Sequence, residues 1–347
     1  MAFTTVNKSS DYFNTKLYTG DGNQQNVTGV GFQPDWTWVK QRGAATDHSM
    51  QDAVRGAGKQ IQSNDTSAET SNNNSLVGFV SDGFTVGFGT GDADAKVNAS
   101  GGTYASWNWL ANGSGSANTD GSISSTVSAN TTSGFSIVSY TGNGTQPSTV
   151  GHGLGVTPQL VLVKPRSDAQ SWCMYHESIG NTKVSYLDSS SASASSVLWN
   201  NTSPTSSSFT VNDNQVNSNT NTYIAYCFAE KQGYSKFGSY IGNGSADGSF
   251  IYTGFKPSFV MFKNTSSALF WQMHDSARDP FNEVQKRLAP NSSDAEGSGS
   301  VPIDFLSNGI KLRTTATTWN ESGSNFIYMA FAEAPLVGTN NVPCTAR

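Results

Sequence analysis

Apolar runs alternate with long polar stretches along this chain, and the same series of segments recurs three times. Each copy opens on a Tyr-x-Gly-Asp/Asn-Gly turn, at Tyr18, Tyr140 and Tyr240. An apolar run follows, with the pattern Gly, apolar, any, Pro, any, mostly apolar, Lys. A mixed segment and a second, nearly continuous apolar run close each copy. Segments that recur in one order with similar spacing predict a threefold internal repeat.

Both apolar runs of each copy predict strands. The continuous runs at 160–163 and 259–262 suit strands that are buried on both faces. The turn glycines supply the positive φ angles of tight hairpins, and the proline ahead of each run suits the start of a strand. Two buried strands per copy, flanked by polar ones, predict an all-β protein of three tandem antiparallel β-sandwich-like repeats, of jelly-roll or lectin-like type.

The spacing of these segments also predicts the domain organisation. The expected repeats are residues 1–112, 134–232 and 233–338. Residues 113–133, rich in Gly, Ser, Thr and Asn, are expected to form a connector, in which 122–127 could add an edge strand. A C-terminal tail is expected at 339–347.

Helix is expected to be scarce, and its best candidate is residues 279–288, over as little as a turn or two. There Asp279 would cap the helix and Pro280 would occupy its first position.

Charge and hydropathy exclude several classes of partner. Charged residues are 13% of the chain, against about 25% in a typical protein, and 20 Lys and Arg face 25 Asp and Glu, for a net charge of −5. This balance argues against a nucleic-acid partner. No apolar run approaches the roughly 20 residues of a membrane helix, and the first residues carry no signal-peptide pattern. We therefore expect no membrane insertion.

Abundant aromatic residues predict a folded chain in spite of its Ser and Asn content. The 19 Phe, 12 Tyr and 8 Trp can bury large areas. The 3 Cys are too sparse for a disulfide framework or a zinc site, and Cys173 and Cys227 lie in apolar runs as small buried side chains. Residues 87–94 resemble a calcium loop only loosely and lack its terminal Glu. No metal and no cofactor are predicted.

The mixed segments contain the residues whose side chains are best suited to acid–base chemistry or ligand binding. A carboxyl residue recurs there, next to a histidine in two copies: His176-Glu177, His274-Asp275 and, in the first repeat, Gln51-Asp52. A His beside a carboxylate could be half of an acid–base site, but adjacent strand residues point to opposite faces. A turn or a buried ion pair with Arg55 or Arg278 is favoured, while ligand contact and catalysis stay open. No nucleophile elbow or phosphate loop occurs.

The tryptophans supply the other candidates. Most are expected in the core, whereas Trp199 and Trp319 lie in polar stretches and are expected at the surface, where they could stack on sugar rings. Nearby Asn, Ser and Thr side chains suit hydroxyl recognition. The candidate ligand-binding residues are Trp199, Trp319, His176, Glu177, His274 and Asp275, and no residue is proposed as catalytic.

Several motifs resemble a repeat of virion structural, tail-fibre-like proteins of marine tailed bacteriophages. They are the opening residues 1–22, the Gly-Phe-Gln-Pro-Asp-Trp-Thr-Trp-Val-Lys run at 31–40, Asp-Ala-Val-Arg-Gly at 52–56 and Ser-Asp-Gly-Phe-Thr-Val-Gly at 81–87. The resemblance covers nearly the whole chain and implies no catalytic residue. The second repeat departs from it, since Ile179-Gly180 stand where the others have the Arg of this motif.

The resemblance implies a virion protein that is made in the host cytoplasm, assembles with other virion proteins and is not an enzyme. A tail-fibre or receptor-binding component that contacts host surface glycans is the first hypothesis. A capsid decoration or head-fibre protein is the alternative, and a polysaccharide-degrading enzyme is a third. A homo-oligomer, with a trimer favoured, is expected.

Overall fold

The computed structural model describes residues 4–89, 91–299 and 301–337, without the side chains of 92–94. The protein is mostly β, with 42% strand and 5% helix, and it contains several antiparallel sheets. The tail expected at 339–347, which includes Cys344, lies outside the described residues, as do the acidic side chains of the loosely calcium-like loop.

The first repeat contains a four-stranded sheet and a three-stranded sheet. Its elements are β1 (Phe13–Thr19), β2 (Gln25–Thr28), β3 (Trp36–Gln41), β4 (Ser49–Asp52), β5 (Lys59–Gln60), β6 (Thr70–Ser71), β7 (Leu76–Val80), β8 (Gly83–Val86), α1 (Asp92–Asn98) and β9 (Thr103–Trp109), after a 3-10 turn at Ser9–Asp11. The sheet orders are β1-β9-β3-β4 and β2-β8-β7, and β5 pairs with β6.

The second repeat contains the same four-strand order within a larger sheet. Its elements are β10 (Ser116–Asn118), β11 (Ser125–Asn130), β12 (Phe135–Thr141), β13 (Ser148–Gly151), β14 (Leu160–Pro165), β15 (Cys173–His176), a 3-10 turn (Glu177–Ile179), β16 (Lys183–Tyr186), β17 (Ala194–Ser195), β18 (Ser208–Val211), α2 (Asn214–Asn217) and β19 (Thr222–Phe228). The sheet order is β10-β11-β12-β19-β14-β15-β16-β17, and β13 pairs with β18. The connector therefore supplies two strands, β10 and β11, to this sheet.

The third repeat again contains a four-stranded and a three-stranded sheet. Its elements are β20 (Ser235–Ile241), β21 (Phe250–Tyr252), β22 (Phe255–Asn264), β23 (Gln272–Asp275), β24 (Ile303–Leu306), β25 (Gly309–Leu312), α3 (Thr317–Asn320) and β26 (Asn325–Pro335). The orders are β20-β26-β22-β23 and β21-β25-β24. The helix expected at 279–288 is wrong, because this segment pairs through the isolated bridges Met273–Leu288, Val284–Ile303 and Arg287–Gly297.

One hydrophobic cluster, the central core, takes side chains from all three repeats. Alternate residues of the four-stranded sheets point into it, and those of the central strands include Trp36, Trp38, Trp107, Trp109, Leu160, Leu162, Tyr226, Phe228, Phe259, Met261, Met329 and Phe331. Rings from different repeats stack there, such as Trp36 on Tyr226 at 4.2 Å between centroids. Three sheets that each offer one apolar face are therefore buried against one another rather than in separate cores.

The opposite face of each four-stranded sheet packs within its own repeat. Val161 and Val163 of β14 lie in the second repeat's cluster, and Val260 and Phe262 of β22 lie in the third's. These strands are continuously apolar because both of their faces are buried. All three repeats bury both faces of this sheet in this way.

Three backbone contacts join the repeats into a closed ring. The amide of Glu69 in the first repeat donates to Arg166 O in the second at 2.8 Å. Ser193 N of the second repeat donates to Thr265 O of the third at 3.1 Å, and Glu296 N of the third donates to Arg42 O of the first at 2.8 Å. The acceptors follow the matched lysines Lys40, Lys164 and Lys263 by two residues. The contacts are thus one interaction repeated around a pseudo-threefold axis.

A tyrosine and an asparagine fix the opening turn of each repeat. The hydroxyls of Tyr18, Tyr140 and Tyr240 each donate, at 2.7 Å, to the carbonyl next to the last residue of the short helix. That last residue is a fully buried Asn (Asn98, Asn217 and Asn320), and its side-chain amide donates to the carbonyl of a turn residue. The short helices therefore anchor the turns.

Candidate functional site

The strand register corrects how the mixed segments match one another. Across the neighbouring strand the equivalent pairs are Trp36–Asp52, Leu160–His176 and Phe259–Asp275. His176, and not Glu177, therefore stands where the other repeats have Asp. His176 and His274 do not occupy matching positions, which corrects the sequence alignment by one residue. Glu177 is exposed, and no carboxylate stands at its position in the first or the third repeat.

At the contact between the first and second repeats, these residues form a buried ionic network. Asp52 accepts from Arg55 Nε at 2.5 Å and from the Tyr226 hydroxyl at 2.7 Å, and both of the charged side chains are fully buried. Arg55 also reaches Glu69 at 3.2 Å, and Glu69 accepts two hydrogen bonds from Arg166. The favoured interpretation of Asp52 as part of a buried ion pair is confirmed.

At the contact between the third and first repeats, the same network recurs. Asp275 pairs with Arg278 at 2.5 Å and accepts from Trp107 Nε1 of the first repeat at 3.1 Å. Glu296 bridges Arg278 and Arg42. Burial by itself would raise the pKa of Glu296, but these two guanidinium groups hold it below its usual range. Asp275 is thus held in an interface.

The contact between the second and third repeats is neutral at the positions of this network, although Lys263 Nζ donates to Ser190 O across it at 2.9 Å. At the network positions the residues are His176, Ile179, Ser193 and Thr265. His176 Nε2 lies 3.3 Å from Tyr328 O, its Nδ1 accepts from Ser178 N, and Ile179 packs on the central core. Burial lowers the pKa of His176 to about 4, so its ring is neutral at pH 7. One of the three interfaces therefore replaces the ionic network with uncharged residues, of which Ile179 is apolar.

Trp199 and Trp319 are buried, so the expectation that they are exposed is wrong. They keep 2% and 4% of their surface accessible. Trp199 Nε1 donates to Lys183 O, and Trp319 Nε1 donates to His274 Nε2 at 2.9 Å. Burial, together with the cations Arg278 and Arg287, lowers the pKa of His274 to about 3. Each indole lies over the core of its own repeat, and polar sequence around it does not prevent this.

Trp319 nevertheless forms the wall of a cleft on the third repeat. The cleft has a volume of about 280 Å³ and is lined by Phe270, Gln272, Arg287, Leu288, Ala289, Asp294, Ala295, Gly297, Thr318 and Trp319. Half of the Phe270 surface is exposed (49%). The Arg287 guanidinium lies over the Trp319 ring, 5.6 Å from its centroid. The cleft thus combines aromatic surface with polar side chains.

Local structure positions these polar groups. The backbone of Arg287 pairs with Gly297 in both directions, at 2.9 and 3.0 Å, which joins two walls of the cleft. Within the described ranges, neither the guanidinium of Arg287 nor the carboxylate of Asp294 takes part in an ion pair. Fork-shaped donors and carboxylate acceptors beside an aromatic ring are the groups that bind sugar hydroxyls and sugar faces.

Sequence reasoning found Trp319 but missed Phe270, Gln272, Arg287 and Asp294. These four come from three separate segments, which the bridges of Leu288 and Arg287 bring together. Arg287 lies in the segment expected to be helical, and that error hid its position. Of the sequence candidates, the structure places His274 against Trp319. Glu177, Trp199 and His176 belong to the second repeat, whereas the cleft lies on the third.

Two kinds of feature are absent from the described part of the chain. Its His, Cys, Asp and Glu side chains form no group of three or more arranged to hold a metal ion. None of its helices has the length and hydropathy needed to cross a bilayer.

A family model described as a domain of unknown function, DUF7483, matches residues 8–335, which is nearly the whole chain. No curated protein matches the sequence.

Proposed function

We propose that this chain, which belongs to the DUF7483 family, is a structural protein of a bacteriophage virion and a receptor-binding component of its tail fibre. The virion context rests on the resemblance of the repeat motifs. In this proposal the protein is made in the host cytoplasm, assembles with other virion proteins and has no catalytic activity. Its ligand is a glycan of the host surface.

The cleft beside Trp319 is the observation that carries the adhesion role. Phe270 offers an exposed ring for stacking against the apolar face of a sugar. Asp294 offers carboxylate acceptors for sugar hydroxyls, and Arg287, whose Nη1 also donates to Gly299 O at 3.3 Å, offers donors, in a cleft of about 280 Å³. An open cleft of this size suits one or two sugar units of a longer chain.

The repeats are proposed to be lectin-like sandwich units. Each four-stranded sheet has two buried faces, one against the central core and one against its own repeat. Such a scaffold is rigid, and loops carried by a rigid scaffold are suited to binding.

A capsid decoration or head-fibre protein is the second candidate. The closed ring of three repeats favours it, because a pseudo-threefold body matches the symmetry of a threefold capsid position. Location on the intact phage separates the two roles. Gold-labelled antibody at the tail tip would support receptor binding, and label spread over the capsid would replace it with decoration.

Variants of the cleft test the adhesion role. Phe270→Ala and Arg287→Ala are expected to weaken binding to a glycan array by about tenfold each, since each removes one stacking or charge-assisted contact. Phe281→Ala is the matched control, because Phe281 is the most exposed aromatic residue described in this repeat and lies outside the cleft. Equal binding by all three variants and the parent would contradict a glycan site in this cleft.

A further inference from the structure

The small sheet of the third repeat ends in an edge strand that carries exposed aromatic residues. Phe250 and Tyr252 of β21 are 46% and 55% exposed, while Ile251 between them is buried in its repeat's cluster. The two rings therefore lie on the outer face of the sheet. Ile241, also exposed, lies beside them, since its carbonyl accepts from Ser249 Oγ at 2.7 Å.

Neither of the other repeats has aromatic residues at these positions. The register of the small sheets matches Phe250 with Asn26 and Thr149, and it matches Tyr252 with Thr28 and Gly151. The edge strand β2 of the first repeat thus presents polar side chains at these positions. The third repeat presents exposed apolar rings instead, and an exposed apolar edge strand favours pairing with another chain.

The second repeat covers the equivalent edge with a strand-like segment. Ile123 of the connector forms a bridge with Val150 of β13, and Ile123 N donates to Thr149 O at 2.9 Å. Thr149 N donates in turn to Ser122 Oγ at 2.9 Å. This edge of the small sheet is therefore one at which an added extended segment fits.

The main chain of β21 is oriented for the same kind of pairing. Ser249 O accepts from Leu312 N, and Thr253 N donates to Asn308 O, so these residues bond toward the neighbouring strand β25 and its turn. Because main-chain groups alternate in direction along a strand, those of Phe250 and Tyr252 point to the outer edge. Within the described chain no strand pairs with that edge.

We propose that β21 binds the β21 of a second copy of this chain, antiparallel and about a twofold axis at Ile251. This arrangement places Phe250 of each copy opposite Tyr252 of the other. It satisfies the outward main-chain groups of both residues and forms two cross-strand aromatic pairs. An interface that joins identical surfaces in this way is self-complementary.

The charges beside β21 favour a second copy over a ligand of one charge sign. Lys311, directly opposite Phe250, pairs with Asp247 at 2.6 Å, and the Asp247 side chain is 83% exposed. A cation and an anion lie at the same end of the strand. A twofold axis brings this pair from each copy to opposite ends of the interface, without placing like charges face to face.

Sedimentation velocity of the full chain between about 1 µM and 1 mM tests the proposal. The parent, with a monomer mass of 36.8 kDa, is expected to form a reversible dimer. Phe250→Asn combined with Tyr252→Thr installs the first repeat's residues at these positions, which that repeat already accommodates. We expect this variant to dissociate at least about tenfold more readily, since two aromatic pairs are lost per dimer. Phe281→Asn is the matched control and should leave the dimer unchanged.

Hydrogen exchange supplies a second readout that does not depend on a variant. The amides of Phe250 and Tyr252 should become more protected as the concentration rises, whereas those of β2 should not. A monomer at every concentration overturns the proposal, and so does a dimer that the double variant retains. Glycan binding that the double variant loses, with no dimer in the parent, would instead make the aromatic pair a ligand surface and also overturn it.

Discussion

The hydroxyl of Tyr226 in the second repeat donates a hydrogen bond of 2.7 Å to the Asp52 carboxylate of the first. Trp107 of the first repeat makes the equivalent contact with Asp275 of the third, at 3.1 Å. At the remaining interface the donor position is Met329 and the acceptor position is His176. Two of the three contacts between repeats thus contain an ionic network, and the third does not. The three contacts of one chain can therefore be compared with one another.

This comparison predicts the cost of removing one charge. Asp275→Ala leaves the Arg278 guanidinium buried without its main partner, and we expect a loss of about 3–5 kcal/mol in the free energy of unfolding. The measurement is urea unfolding followed by tryptophan fluorescence.

Replacement of the whole network should cost less. The combination of Arg42→Thr, Asp275→His, Arg278→Ile and Glu296→Ser installs the residues of the neutral interface, so no charge is left unpaired. A combined variant less stable than Asp275→Ala would show that the neutral solution depends on other parts of the second repeat.

Acid should destabilise the protein through its buried histidines. Burial lowers the pKa of all four histidines, to about 3 for His48 and His274 and about 4 for His176. The unfolded chain protonates these rings below their ordinary pKa of 6.5, and the folded chain does not. The free energy of unfolding therefore has its full value above pH 6.5 and falls as the pH drops below it. The loss at roughly pH 4.5 is about 2–3 kcal/mol per fully buried histidine.

Thermal unfolding between pH 7.5 and pH 4.5 checks this, with about the same buffer strength throughout. The pKa values of Glu69 and Glu296 are held below the ordinary 4.5. The stability that these two carboxylates contribute to the protein is therefore lost only at still lower pH. His176→Gln should reduce the slope. A melting temperature that is constant across this range would contradict the expected titration.

The turn anchor of the second repeat should be essential to its stability. Asn217, which is itself fully buried, donates to Asn143 Oδ1 and Thr145 O and accepts from Asn143 N. Asn217→Ala removes these three hydrogen bonds and should cost about 1–3 kcal/mol, with faster amide exchange in the turn. Asn181→Ala, which removes one exposed hydrogen bond, serves as the control and should change stability little.

The thiols of Cys173 and Cys227 should be unreactive in the native protein. Both are fully buried, and burial raises their pKa values above the usual range. Iodoacetamide at about pH 8 should modify neither until the chain is unfolded, as peptide mass mapping will show. If iodoacetamide modifies either thiol in the native protein, the repeat that contains this thiol opens locally.

The sequence by itself determined the β class and the positions of the buried strands. Short, continuous apolar runs that start after a proline are typical of buried strands. The strands at Leu160–Pro165 and Phe255–Asn264 include the runs that predicted them. It also indicated the ion pairs, since Asp and Arg three residues apart recur in two repeats. These features depend on neighbours along the chain, and such neighbours are visible in a sequence.

Only the tertiary structure decided how the repeats share a core and which residues meet across it. Burial of Trp319 depends on His274 and Arg287, which no local pattern links to it. The segment at 279–288 has helical signals, but its pairing with Met273 and Ile303 satisfies its main chain better than an isolated short helix would. The match of His176 to Asp52 and Asp275 depends on strand register, which is set by packing against the central core.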